Sequence, residues 1–227
     1  MMHVGWKKPV AWRAEWLGDT CRRGLRLINT QVVMHGKPQL DAAMVVANHV
    51  SYLDILVFAD VLSPVFVSKS EVKSWPLFGF FAKLSSTIFV EREKRSKVLE
   101  QASELERIVK TGTRLVLFPE GTTTNGDEIL NFRSSLFEPV VKNQWVVVPA
   151  AFRYRCKGGD PRNEVYWWGD ATLAGHLALL LQLDVVRVDV VFGSAMARVT
   201  ERKQLAVELR EKVLALKAQL DIEPPTW

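Results

Sequence analysis

Residues 94–126, KRSKVLEQASELERIVKTGTRLVLFPEGTTTNG, carry the pattern from which the class of fold follows. Lys94–Lys110 places Val98, Ala102, Leu105 and Val109 three or four residues apart, on one side of a helix, and Gly112 supplies a stop. Then comes LVLF, apolar without alternation, which fits a strand covered by helices on both faces. The strand opens directly into a polar loop containing Glu120, Gly121, three threonines and Asn125-Gly126.

The same grammar extends in both directions. Strands are predicted at 43–47, 65–68, 87–90, 114–118, 146–152, 164–168 and 185–192. A second amphipathic helix is predicted over 200–220, with Leu205, Leu209, Val213, Leu216 and Leu220 in register. Strand and helix in alternation imply an α/β layered domain with a largely parallel central sheet flanked by helices. Residues 10–29 also have helical spacing, with Leu17, Cys21, Leu25 and Ile28 as the apolar stripe. Tryptophans 6, 12 and 16 and six basic residues crowd this part of the chain. Two readings stay open there: a helix lying flat in a lipid interface, or one packed on its own sheet. The chain therefore divides into an N-terminal amphipathic helix region, 1–29, expected at a membrane surface, and an α/β domain, 30–227.

Composition narrows the partners. With 48% apolar residues, 227 residues suffice for one domain with a sizeable core. The net charge of +5 suits a polyanionic partner: nucleic acid, anionic lipid or a phosphorylated substrate. The longest nearly uncharged run, 171–183, falls short of the roughly twenty residues of a membrane span and is expected to be a buried helix. Any membrane contact is thus expected to be peripheral. Cys21 and Cys156 have no metal-ligand spacing and suit a reducing, cytoplasmic compartment, with one disulfide as the alternative.

Chemistry concentrates where predicted strands end. Asn48-His49-Val50-Ser51-Tyr52-Leu53-Asp54 follows MVVA, and α/β sheets gather their sites at the carboxyl ends of strands. Five residues along a regular helix would separate His49 from Asp54, but a turn ahead of the helix brings carboxylate and imidazole together as base and orienter. Alternatively, Ser51-x-x-Asp54 is a capping box and nothing more. The loop at 118–126 offers a carboxylate, hydroxyls and backbone N–H groups to an oxygen-rich ligand, or is a plain turn. Arg92 could hold a phosphate or pair with a neighbouring glutamate, and Lys69 carries the same ambiguity. All four positions fall on one rim of the inferred sheet.

Four ordered blocks now stand together: NHVSYLD at 48–54, IFVER at 88–92, FPEGT at 118–122 and VVPAAF at 147–152. In these the chain resembles the lysophosphatidic acid acyltransferase family, the PlsC-type glycerolipid acyltransferases, over roughly residues 30–200. The resemblance implies the layered glycerolipid acyltransferase fold, and His49 as general base with Asp54 as its orienter, the His-x4-Asp motif. It implies that Lys69, Arg92, Glu120, Gly121 and Thr122 bind the acceptor and that Pro149 lines an acyl tunnel. No cofactor or metal is implied. The co-substrate is acyl-CoA or acyl carrier protein thioester; the partners are a lysolipid and the anionic inner face of a cell membrane, not nucleic acid. The acceptor so implied is 1-acylglycerol-3-phosphate, giving phosphatidic acid.

One departure bears on that acceptor. The family pattern has arginine after FPEGT, whereas this chain has Thr123, so a cation for the acceptor phosphate is missing. FPEGTTTNG, FRSSLFE and Trp168-Gly169-Asp170 ahead of His176 resemble instead the branch that acylates other lysolipids, including lyso-ornithine lipid, with Arg133 as a substitute charge. A lipid hydrolase using Ser51 or Ser134 is the reading from a different class, but no G-x-S-x-G elbow is present. A catalytically silent membrane-binding protein is another.

Overall fold

The structure, a computed structural model, describes residues 8–69, 87–90 and 95–222. The elements are α1 (Val10–Leu27), β1 (Thr30–His35), β2 (Met44–Ala47), α2 (Leu53–Leu62), β3 (Val65–Lys69), β4 (Ile88–Val90), α3 (Arg95–Lys110) and β5 (Leu115–Leu117). A 3-10 turn at Ser134–Phe137 leads into α4 (Glu138–Asn143), followed by β6 (Val147–Lys157), α5 (Pro161–Glu164), α6 (Leu173–Leu180), β7 (Val185–Phe192) and α7 (Arg202–Ile222). Seven strands form one sheet in the order β1-β7-β6-β2-β5-β3-β4. Every neighbouring pair is parallel except β6 with β7.

The unbroken apolar runs have a simple cause. Val45, Val116, Val148 and Ala150 point to a core shared with α1 and α2. Met44, Val46, Leu115, Leu117, Val147 and Ala151 point to a second core under α3 and α7. Both faces of the central strands are buried, so no position is free to be polar. In α7 all five leucine and valine positions named above are buried, and α3 stops at Lys110 with Gly112 in the left-handed region at φ +79.

Two expectations are corrected, and between the two readings left open for α1 its apolar stripe takes the packed one. Residues 164–168 are not a strand: Asp160 accepts from the N–H of Arg162, Pro161 fills the first helical position, and the short α5 results. The 171–183 run does form a helix, α6, but it is half exposed: Leu177, Leu179 and Leu181 face outward while His176 and Leu180 are buried. The predicted apolar stripe of α1 is not available to lipid, because Leu17, Cys21 and Leu25 are buried against α2. The two helices approach so closely at Gly18 that a Cβ there would lie 2.7 Å from the carbonyl oxygen of Ala59. What α1 turns outward instead is Trp12, Trp16 and Leu27, which are 43%, 40% and 84% exposed.

Candidate active site

The site grows from the end of β2. Asn48 accepts the N–H of Phe152 at 2.9 Å, which fastens the strand end to β6 just as the chain leaves the sheet. His49 therefore starts from a fixed backbone. Its N–H donates to Oε1 of Glu120 at 2.7 Å, and its carbonyl accepts from the N–H of Thr124 at 3.1 Å. The imidazole stacks on Phe118, with centroids 4.1 Å apart, and is 15% exposed. It is braced, yet reachable.

Asp54 lies in the first turn of α2, fully buried, beneath a tight turn at Val50–Tyr52. Its Oδ2 accepts from His49 Nδ1 at 2.8 Å, from the N–H of Val50 at 2.8 Å and from the N–H of Ser51 at 3.1 Å. Its Oδ1 accepts from the hydroxyl of Tyr154 at 2.6 Å. The carboxylate does two things at once: it ties the turn, accepting from the N–H of Ser51 as one half of a capping box, and it holds the ring. Because a carboxylate accepts at Nδ1, that nitrogen carries the proton and Nε2 keeps its lone pair.

Glu120 is buried, with its second oxygen accepting the N–H of Leu130 at 2.8 Å. Both oxygens thus hold backbone, so its direct part is to position His49 rather than to stand open to an acceptor. Gly121 turns the loop at φ +74, Thr122 is exposed, and Arg133 is exposed with its N–H on the carbonyl of Pro119. Pro149 is buried in β6, in register with Val46 of β2. Of Lys69 only the backbone, at the end of β3, is described, and Arg92 lies outside the described residues. Ser51 is buried with its hydroxyl on the N–H of Leu53, which leaves the hydrolase reading without that nucleophile.

Burial pushes the Glu120 carboxyl up to about 7, against the backbone N–H groups of Leu130 and His49, which pull it down. A raised value favours the fold while the group is protonated. That contribution is complete below the ordinary 4.5 and is lost as the pH climbs through about 7. The Tm of the wild type measured against Glu120→Gln is therefore expected to decline between pH 4.5 and about 7 and to be level outside that window, as calorimetry across a pH series would read.

Tyr154 lies outside the quoted motifs, whereas Asn48 and Phe118 lie inside them with contacts that the motifs do not reveal. Tyr154 was legible only through parity: it shares a face of β6 with Ala150 and Phe152, the face turned to α2.

An imidazole at the carboxyl end of a parallel strand, held through Nδ1 by a buried carboxylate, is an arrangement suited to general-base chemistry on an α/β scaffold. Comparison with known proteins specifies which. A family model described as Acyltransferase matches residues 31–153. The lyso-ornithine lipid O-acyltransferase of Rhizobium meliloti (strain 1021) is 36% identical over 202 residues, covering 82% of this chain and 69% of that protein. The 1-acyl-sn-glycerol-3-phosphate acyltransferase of Neisseria meningitidis serogroup B is 28% identical over 180 residues, 78% of this chain and 70% of its own. In fold, the chain matches the crystal structure of the LPA acyltransferase PlsC from Thermotoga maritima with a TM-score of 0.69 at 17% identity, over 94% of this chain and 81% of that one. The protein belongs to the Acyltransferase family, and it is an acyltransferase.

Proposed function

We propose that this enzyme moves a fatty-acyl group from a CoA or acyl carrier protein thioester to the free hydroxyl of a lysolipid, with lyso-ornithine lipid as the acceptor. The observation that carries the mechanism is the His49–Asp54 contact at 2.8 Å, with Nε2 left as base. Nε2 takes the hydroxyl proton as the oxygen attacks the thioester carbonyl carbon. The tetrahedral intermediate expels the thiolate, which takes the proton back from the imidazolium, and no acyl-enzyme forms. Asp54 holds the ring in place and offsets its transient charge.

For the acceptor, two features favour lyso-ornithine lipid over 1-acylglycerol-3-phosphate. Thr123 stands where the phosphate-binding pattern has arginine. Moreover, the relatives from Rhizobium meliloti and Brucella abortus, both lyso-ornithine lipid O-acyltransferases, are each 36% identical to this chain. The deciding experiment is a panel: purified protein, labelled acyl thioester, and lyso-ornithine lipid, lysophosphatidic acid and a neutral lysolipid in separate reactions. Lyso-ornithine lipid is expected to give the highest kcat/KM. A clear preference for lysophosphatidic acid would reverse the assignment, and Arg133→Ala would then be expected to raise KM for that acceptor.

The membrane contact is proposed for the outer face of α1. No helix among the described residues is long and apolar enough to cross a membrane. Trp12, Trp16, Arg23 and Leu27 share one exposed stripe of that helix, and tryptophan beside arginine suits the boundary between head groups and acyl chains. Free thiols at Cys21 and Cys156 suit the cytoplasmic side. Trp12→Ala/Trp16→Ala is expected to lower cosedimentation with anionic liposomes several-fold, since both side chains stand outside the core; unchanged sedimentation would place the contact elsewhere.

A further inference from the structure

The chain between β6 and β7 borders an open cavity of about 380 Å³ whose lining includes neither His49 nor Asp54. Arg162, Asn163, Tyr166, Trp168, Thr172 and His176 line it. Both of its neighbours in sequence space are fastened to the catalytic turn. The N–H of Trp167 donates to the carbonyl of Val50 at 2.9 Å, and that of Thr124 to the carbonyl of His49 at 3.1 Å. The loop after Thr124 meets the cavity wall at Gly126, where a Cβ would lie 2.5 Å from the ring of Tyr166. The cavity wall thus adjoins two segments, one holding the carbonyl of Val50 and the other that of His49.

Arg162, in the cavity wall, pairs with Asp127, which lies just outside the lining. Arg162 Nη2 lies 2.5 Å from Asp127 Oδ1, with the two side chains 60% and 48% exposed. The other oxygen of Asp127 accepts from Asn125 at 2.7 Å. An ion pair so open to water adds at most about 1 kcal/mol to the fold, so a ligand can replace either half of it at little cost. The indole of Trp168, 47% exposed, borders the same space and offers a π face to a cation. The floor is set: His176 meets the hydroxyl of Tyr52 at 3.2 Å through Nδ1 and the carbonyl of Tyr166 at 3.1 Å through Nε2. Leu179 borders the cavity too, and Leu177 and Leu181 stand exposed on or beside the same helix as apolar ground for a hydrocarbon chain.

We propose that this cavity receives the head group of the acceptor, and that Arg162 and Asp127 select a zwitterionic head of the amino-acid type. The guanidinium takes the carboxylate in a two-point fork, and Asp127 with Trp168 takes the ammonium. Ornithine acylated on its α-nitrogen presents those two charges, one carboxylate and one primary ammonium. A phosphate monoester presents only negative charge and would face Asp127 at a disadvantage. The proposal rests on the lysolipid acyltransferase reading above and names the groups that choose the substrate for it.

The test uses the full chain in four forms: wild type, Arg162→Gln, Asp127→Asn, and the exchanged pair Arg162→Asp/Asp127→Arg. Each is assayed for kcat and KM with lyso-ornithine lipid and with lysophosphatidic acid, and each is melted. Both single variants are expected to raise KM for lyso-ornithine lipid about tenfold, the loss of one charge-assisted contact, with kcat reduced less than threefold. For lysophosphatidic acid, Arg162→Gln raises KM and Asp127→Asn does not. The exchanged pair regains the wild-type Tm while KM for lyso-ornithine lipid stays high. Unchanged KM in the single variants, or a KM restored by the exchange, would show that the pair only staples two loops and would overturn the proposal. A wild type that acylates lysophosphatidic acid but not lyso-ornithine lipid overturns it as well, leaving acyl transfer intact. A wild type that acylates no lysolipid removes the reading of function beneath both.

Discussion

His49→Ala is expected to lower kcat about a thousandfold, within the 10²–10⁴-fold range that a positioned general base contributes, while the protein stays folded. The ring is stacked on Phe118 and partly open, and among the described residues its side-chain hydrogen bond goes to Asp54. Its removal leaves Asp54 with three other donors, Val50, Ser51 and Tyr154. The backbone at position 49 stays fixed by Glu120 and Thr124. Activity and stability should therefore part company in this variant: a large drop in turnover with Tm changed by no more than about 5 °C. Turnover within tenfold of wild type, with a melting curve to match, would show that the proton goes elsewhere.

Asp54→Ala should fail on both counts. Cutting back a buried acceptor strands the hydroxyl of Tyr154 and the N–H groups of Val50 and Ser51, at about 1–3 kcal/mol for each buried donor left without a partner. The expected loss is at least about 3 kcal/mol, together with a fall in kcat of a hundredfold or more as the imidazole loses its anchor. Asp54→Asn keeps the volume but cannot accept at both oxygens, so it separates the two effects: smaller destabilisation, similar loss of turnover. Denaturant melts alongside acyl-transfer assays would distinguish them. A stable Asp54→Ala with near-normal kcat would mean that the carboxylate neither orients nor supports the ring.

The strand-end logic of the chain was open to reading because the central strands are short, apolar and bounded by sharp polar loops. β7 appears where Val185–Phe192 predicts it, and β2 and β5 agree to within a residue at each end. β1 was hidden. Thr30–His35 mixes polar and apolar residues because it is an edge strand in which only Thr30 is buried, and without a two-sided core it has no continuous hydrophobic signature. The extension of β6 from Phe152 to Lys157 was hidden for another reason: it depends on antiparallel pairing with β7, thirty residues downstream, which no local pattern encodes. The site divides in the same way. His49 and Asp54 are close in sequence and declared by spacing, whereas Tyr154 reaches Asp54 from a hundred residues away. Glu120 was visible as a loop carboxylate, but its task of holding the backbone of His49 emerges only when two strand ends stand side by side in the sheet.

β6 runs beyond the last residue it shares with β2, and its register with β7 closes at Lys157 opposite Val185. The whole excursion from 158 to 184, which supplies every residue lining the cavity, leaves and rejoins the sheet at that one junction, and reaches the catalytic turn through Trp167 on the carbonyl of Val50 and His176 on the hydroxyl of Tyr52. Such a segment is a natural cassette. Its exposed stretches can vary without shifting the register of the parallel strands that carry His49, whereas Val165, Leu180 and Leu183, which belong to the core, are held in place.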